Sequence, residues 1–232
     1  VREALEATLA TGDMRGFADV AACMLDLEQD AGRDVEIWLR LAEAALSAGG
    51  GDEQILAKLL TNYGNALRRQ SRLEEAITAY REVLELRRRP SNHRPEVVGD
   101  ALFNLANGLF LSGAEQEAIP LLDEAIAVWE RELGPEHPRL LIPLGMLTFM
   151  YFRRGELVEA EALASRGLAS MAKQFGETHS RVVDMHGLLA NVLLAQGKFA
   201  AARGHFEAAL AGARANPGKR RVIGYALSNL AN

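Results

Sequence analysis

Asparagine recurs along this chain at two fixed places relative to a repeated alanine. Ala76, Ala118, Ala160 and Ala202 stand 42 residues apart. Asn62 and Asn104 lie 14 residues before the alanine of their segment, and Asn65, Asn107 and Asn191 lie 11 before it. Asn229 and Asn232 repeat the pair in the last segment, one residue short of the 42-residue register. A side-chain amide carries a donor and an acceptor side by side, so a ladder of amides could hold a peptide backbone without reading its sequence. A three-residue offset puts the two members of each pair on one face of a helix. Asn is a poor interior helix residue, so its recurrence needs a reason: contact with a ligand, hydrogen bonding to a neighbouring helix, or a face turned to water. Sequence alone leaves these three open. The third segment interrupts both series with Met146 and Phe149. With Phe103, Phe110 and Phe152, Phe149 could set apolar surface in or beside a row of amides, as a peptide with hydrophobic anchors would require; aromatics at helical spacing also serve as core.

Other residue types point elsewhere or nowhere. Arg68-Arg69 and Arg153-Arg154 occupy matching positions two periods apart. Cations at a helix C-terminus are favoured by the dipole, by about 0.3–1 kcal/mol, which accounts for them; the functional alternative is a basic rim, including Arg68, that selects an acidic peptide. His137 and His179 are also 42 apart and so fall in equivalent loops of successive segments. That separation is far beyond what a shared metal with bonds of about 2 Å allows, and a structural loop role is expected. His93, His186 and His205 have no partner at metal-ligand spacing, and Cys23 has no base near it in sequence. There is no glycine-rich phosphate loop and no Gly-x-Ser-x-Gly elbow. No enzyme chemistry, cofactor or metal is expected of these residues.

The elements that would carry the asparagines follow from the period. Self-similarity at a fixed spacing signals stacked supersecondary units rather than one globular core. Each alanine is preceded at five residues by Ser71, Gly113, Gly155 or Gly197, at nine by Leu67, Leu109, Tyr151 or Leu193, and at twelve by Gly64, Ala106, Thr148 or Ala190. Seven residues after it stands Val83, Ala125, Gly167 or Ala209. Apolar positions between these markers recur at three and four, the helical period, and the glycines suit left-handed helix ends. The spacing predicts first helices over 53–70, 96–112, 138–154 and 178–196, and second helices over 72–88, 115–133, 156–175 and 198–214. A further first helix begins near 219. Residues 1–52 fit less well, with helices expected at 2–11, 14–30 and 34–48 and a turn at Gly49-Gly50-Gly51. The chain therefore divides into 1–52, a degenerate helical repeat region, and 53–232, an array of four repeats and a truncated fifth.

Composition narrows the function classes. The chain has 232 residues and a formal net charge of −5, which disfavours a nucleic-acid module; Arg87-Arg88-Arg89 is too short to reverse that. The aromatic share of 6% and the abundance of Ala and Leu suit packed helices. The single cysteine, Cys23, excludes an internal disulfide and suits a reducing compartment; it lies in an apolar run and is expected to be buried. The most apolar stretch, 140–152, is interrupted by Pro143 and falls short of the roughly 20 residues a membrane span needs. A cytoplasmic location is expected. The chain begins with Val1, and its last residues echo 101–107 in what would be mid-helix, so a fragment of a longer protein is expected.

Two segments carry a family resemblance: Asn104-Leu105-Ala106-x-x-Leu109-x-x-x-Gly113-x-x-x-Glu117-Ala118 and Leu189-Ala190-x-x-Leu193-x-x-x-Gly197-Lys198-Phe199-x-x-Ala202. These resemble the tetratricopeptide repeat, whose usual period is 34 residues. The longer period is similar to that of the kinesin light chain subclass, as is the element Leu133-Gly134-Pro135-Glu136-His137-Pro138, echoed weakly in Phe175-Gly176-Glu177-Thr178-His179-Ser180. The resemblance implies an all-α, right-handed superhelical solenoid of antiparallel helix pairs. It implies that the first helix of each pair lines a concave groove that binds protein or an extended peptide.

On this reading the groove residues are Asn62, Asn65, Arg68, Asn104, Asn107, Phe149, Asn191 and Asn229, with Asn65, Asn107 and Asn191 as backbone clamps. The chain is expected to be a scaffold for protein–protein interaction, with no nucleic-acid or membrane partner. The alternative is a regulatory or sensor arm of a multidomain signalling enzyme, a kinase, nucleotide switch or caspase-like protease, whose catalytic domain lies outside these residues and could itself occupy the groove. A plain structural spacer or self-association module is a third reading.

Overall fold

The structure is a computed structural model. It describes residues 7, 8, 11–27, 35–48, 51–90 and 94–215, with backbone only for 22–27 and 38. Among them every regular element is helical: α1 (Met14–Leu27), α2 (Val35–Ala48), α3 (Glu53–Arg69), α4 (Leu73–Arg88), α5 (Pro95–Leu111), α6 (Glu115–Leu133), a 3₁₀ turn (Pro138–Leu140), α7 (Leu141–Arg154), α8 (Leu157–Phe175), α9 (Ser180–Ala195) and α10 (Phe199–Arg214). The predicted boundaries agree to within one or two residues from 53 onward, apart from the first turn of 138–154, which is 3₁₀. The helix expected near 219, with Asn229, lies outside the described residues, as does the side chain of Cys23 on α1.

The repeated residues form the contacts between helices. All four marker alanines are buried, as are Gly64, Ala106, Thr148 and Ala190 twelve before them and Val83, Ala125, Gly167 and Ala209 seven after. A small side chain at these places lets two helix backbones approach closely. Leu67, Leu109 and Leu193 fill the space between each first helix and its partner and are also buried, while Tyr151 is half-buried.

The turn between paired helices is the same each time. Ser71, Gly113, Gly155 and Gly197 have φ of 63°, 88°, 78° and 76°. The residue after each donates its N–H to the carbonyl four residues before the turn residue: Arg72 to Leu67 at 2.9 Å, Ala114 to Leu109 at 2.8 Å, Glu156 to Tyr151 at 2.9 Å and Lys198 to Leu193 at 2.9 Å. This is the Schellman arrangement. The large residue nine before the alanine thus plugs the helix interface with its side chain and accepts the turn's closing bond with its backbone. Ser71 holds the left-handed conformation without glycine's freedom, at a cost of about 1–2 kcal/mol.

The chain divides into two compact units, 1–128 and 129–232. In the first, α1 packs on α2 and α3, α2 also touches α3, α3 packs on α4, and α4 on α5. The helices α1 and α2 thus stack on the array as a pair, although their sequence is degenerate. Arg81 and Arg88 of α4 reach Glu117 and Glu124 of α6, each 36 residues on, at 3.2 and 2.8 Å. In the second unit α7 packs on α8 and α9, α8 on α9, and α9 on α10. There Arg166 of α8 pairs with Glu130 of α6 at the same 36-residue separation. These pairs are exposed, worth about 0–1 kcal/mol each; they mark a common register rather than hold it.

The loop resembling the kinesin light chain element is structural. His137 and His179 each cap a helical turn, their Nδ1 atoms accepting from the N–H of Arg139 at 3.2 Å and Arg181 at 3.3 Å. The Glu136 carbonyl accepts from Gln174, and its carboxylate pairs with Lys173 at 2.6 Å. The His179 ring stacks on Phe175 with centroids 4.6 Å apart. The loop expectation for both histidines is met.

Candidate functional site

The first unit holds a concave surface built by α3, α4 and α5. Asn62 and Asn104 line a cavity of about 150 Å³ with Lys58 and Thr61 of α3, Val83 and Arg87 of α4, and Asp100 and Ala101 of α5. The first helices supply its walls and the second helix supplies its floor, because Asn62 and Asn104 occupy equivalent positions one period apart. The structure thus brings these two asparagines together.

The eleven-residue series behaves differently from segment to segment. Asn65 accepts a 2.8 Å hydrogen bond from the Tyr80 hydroxyl, which engages one lone pair of its side-chain oxygen. Tyr80 is nearly fully buried. Burial raises its pKa above the usual phenol range, against the opposing pull of Arg68 and Arg69. Arg68 therefore stands beside this network as well as at a helix end. Asn107 on α5 is half-buried, and its amide has no hydrogen-bond partner among the described residues. The same holds for Asn104.

In the second unit the corresponding face of α7 is apolar. Ile142, Met146 and Phe149 fall at i, i+4 and i+7, with Ile142 and Phe149 exposed. Phe149 has the Arg153 guanidinium over its ring, 5.8 Å from the centroid. On α9 the equivalent positions are Leu188 and Asn191, both half-buried. Phe103, Phe110 and Phe152 are half-buried and belong partly to the helix interfaces.

Sequence reasoning missed two features. It left His186 and His205 without partners, yet their Nδ1 atoms lie 2.9 Å apart across α9 and α10, and His186 Nε2 lies 3.2 Å from the Glu177 carboxylate. A separation of 19 residues matches no metal-ligand template; only the antiparallel pairing of the two helices would have revealed it. Among the described residues no group of three or more His, Cys, Asp or Glu side chains could hold a metal ion. Arg87 does lie in the last turn of α4, but nothing in the sequence signals that its Nη1 is buried without a hydrogen-bond partner. Among the described residues no helix is long and apolar enough to cross a membrane.

Tetratricopeptide repeat models match residues 57–90, 98–173 and 147–215. The chain belongs to the tetratricopeptide repeat family. BtubC (BKLC) from P. vanneervenii shares its fold with a TM-score of 0.78 at 20% identity, over 94% of this chain and 89% of that one. A Podosopora anserina protein described as a kinesin light chain with nearly identical TPR-like repeats superposes with a TM-score of 0.67 at 22% identity, over 85% and 95% of the two chains. MamA follows with a TM-score of 0.59 at 16% identity, covering 80% and 92%. No curated protein matches the sequence. At these identities the structures establish the solenoid, including its likeness to kinesin light chain-like repeats, and the family establishes an interaction scaffold in general terms.

Proposed function

We propose that this tetratricopeptide repeat chain binds an extended peptide segment of a partner protein along its first helices. In the first unit Asn104 and Asn107 are the backbone clamps, assisted by Asn62 and by the remaining donor of Asn65, with Arg68 at the rim. In the second, Asn191 supplies an amide, and Phe149 with Ile142 and Met146 supplies an apolar contact for a partner side chain. Asn229 extends the same series, one residue short of register. The observation that carries this reading is the pair of unused amides on α5. A preformed solenoid holds such groups at fixed spacing, which lowers the ordering cost of binding.

The test is selection of peptides from a random display library on the immobilised protein, followed by measurement with the Asn104→Ala/Asn107→Ala variant. Selected peptides should bind the variant about tenfold or more weakly, since each lost hydrogen bond contributes about 0.5–1.5 kcal/mol. Peptides that bind both proteins equally would remove the clamps from the account.

A regulatory arm within a larger signalling enzyme uses the same surface with an intramolecular occupant. Nothing in the described residues favours it over a separate partner.

A further inference from the structure

His186 of α9 and His205 of α10 bring two ring nitrogens together inside a helix pair, and the proposed peptide surface uses neither. Their Nδ1 atoms lie 2.9 Å apart. Both residues stand within their helices rather than in a loop, and α9 packs closely on α10, so backbone packing fixes their spacing. His186 is buried and His205 half-buried.

A neutral imidazole offers a metal ion one lone pair and is the commonest protein ligand for such ions. A tetrahedral ion bonded to both nitrogens at about 2.0–2.1 Å holds them about 3.3 Å apart and the ring centres about 5.2 Å apart. The two ring centroids already stand 5.2 Å apart. An ion therefore asks for no movement of either helix; the nitrogens part by about 0.4 Å as each ring turns slightly. A square-planar ion would draw the centres in to about 4.5 Å, so the spacing favours tetrahedral zinc over copper(II).

The second nitrogen of His186 is also placed as that of a metal ligand. Nε2 lies 3.2 Å from the Glu177 carboxylate. Metal-bound histidines characteristically give their other N–H to a carboxylate, which fixes the ring and raises the basicity of the bound nitrogen. With an ion on both Nδ1 atoms, each neutral ring keeps its proton on Nε2, so His186 donates to Glu177 and no proton is released. Among the described residues no third His, Cys, Asp or Glu joins the pair around an ion, which leaves two tetrahedral positions for water. There is room for it: a Cβ on Gly187 or Gly204, the neighbours of the two histidines, would meet no atom within 4 Å. Imidazole ligands suit zinc and give little to magnesium or calcium, which prefer oxygen.

We propose that His186 and His205 form a zinc site that clips α9 to α10, with Glu177 orienting His186 and water completing the coordination. An ion held by the folded chain alone stabilises it by mass action. No asparagine or peptide takes part, so the site stands or falls independently of the function proposed above.

The experiment is an NMR titration of ¹⁵N-histidine-labelled protein with zinc chloride, with magnesium chloride as the comparison. The Nδ1 signals of His186 and His205 should move together and saturate at one ion per chain, both Nε2 atoms staying protonated, and magnesium should leave them in place. Glu177 is exposed, so Glu177→Gln leaves folding intact and should weaken zinc binding about tenfold. His205→Gln should weaken it further and remove the rise in melting temperature that zinc gives the parent protein. Nδ1 signals that do not saturate, shifts confined to His137 and His179, an equal response to magnesium, or unchanged zinc affinity in His205→Gln would overturn the site. Unchanged affinity in Glu177→Gln would overturn the orienting role given to that carboxylate.

Discussion

The Tyr80 hydroxyl on α4 donates a 2.8 Å hydrogen bond to the side-chain oxygen of Asn65 on α3. The bond locks the helix pair of one repeat and engages one lone pair of that amide's oxygen. It also explains two glycines in helix interiors. A Cβ on Gly64 of α3 would come within 2.7 Å of the Tyr80 ring, and one on Gly108 of α5 would meet Ile77 at 3.2 Å and Tyr80 at 3.4 Å. The ring thus lies between the backbones of two successive first helices.

Two substitutions separate the ring from the hydroxyl. Tyr80→Phe should cost about 1 kcal/mol, the usual worth of such a bond, with the helical content unchanged. Gly64→Ala gains about 1 kcal/mol in helix propensity, but the buried ring cannot move aside, and overpacking of this kind costs about 1–3 kcal/mol. Its net effect should be destabilising. Urea unfolding of both variants checks each sign; a stabilised Gly64→Ala protein would show that the ring yields.

Ser71→Gly should stabilise the protein by about 0.5–1 kcal/mol. Relief of left-handed strain exceeds the added freedom of glycine in the unfolded chain. The same substitution leaves the Arg72-to-Leu67 bond in place, so thermal melting should move upward without a change in cooperativity.

The histidine pair predicts a pH dependence in the second unit. His186 Nε2 lies 3.2 Å from the Glu177 carboxylate, and its Nδ1 lies 2.9 Å from Nδ1 of His205. Burial first, and the charge of His186 second, lower the His205 pKa from its ordinary 6.5. A lowered folded-state value means that the unfolded chain binds the proton more readily. The contribution is complete above 6.5 and is lost as pH falls from there through the folded value. Denaturant unfolding at about pH 7.5 and about pH 5.5 should show a loss of stability that is smaller in His205→Gln. An equal loss in the two proteins would assign it to carboxylates.

The helix pairs were legible because their causes are local: a three- and four-residue period, a small residue at each close approach, and a turn residue five before each alanine. The loop role of His137 and His179 was legible from their equivalent places 42 apart; that each caps a turn by bonding two residues along the chain comes from the structure. The helices α1 and α2 were less legible because packing on α3 stabilises them without the full set of markers. What stayed hidden depends on contacts between elements. Tyr80 shares its place, four residues after the alanine, with the buried Leu122, Ala164 and Phe206; none of these has a hydroxyl, so the repeat does not predict that Tyr80 takes the oxygen of Asn65. Arg87 reads as one cation in a helix-end run until α1, α3 and α5 are placed around it. His186 and His205 meet only through antiparallel packing of α9 and α10. Asn62 and Asn104 were legible as equivalent positions, and the structure adds that they face one cavity.

The central claim is that Asn104 and Asn107 hold a peptide backbone. Its most direct test is to follow the side-chain NH₂ resonances of a ¹⁵N-asparagine-labelled protein while a library-selected peptide is added. The account predicts saturating shifts at Asn104 and Asn107, a smaller one at Asn65, whose oxygen stays with Tyr80, and loss of binding on replacing the first two with alanine. Saturating binding that leaves both amides unmoved and perturbs residues on the second helices instead would contradict it.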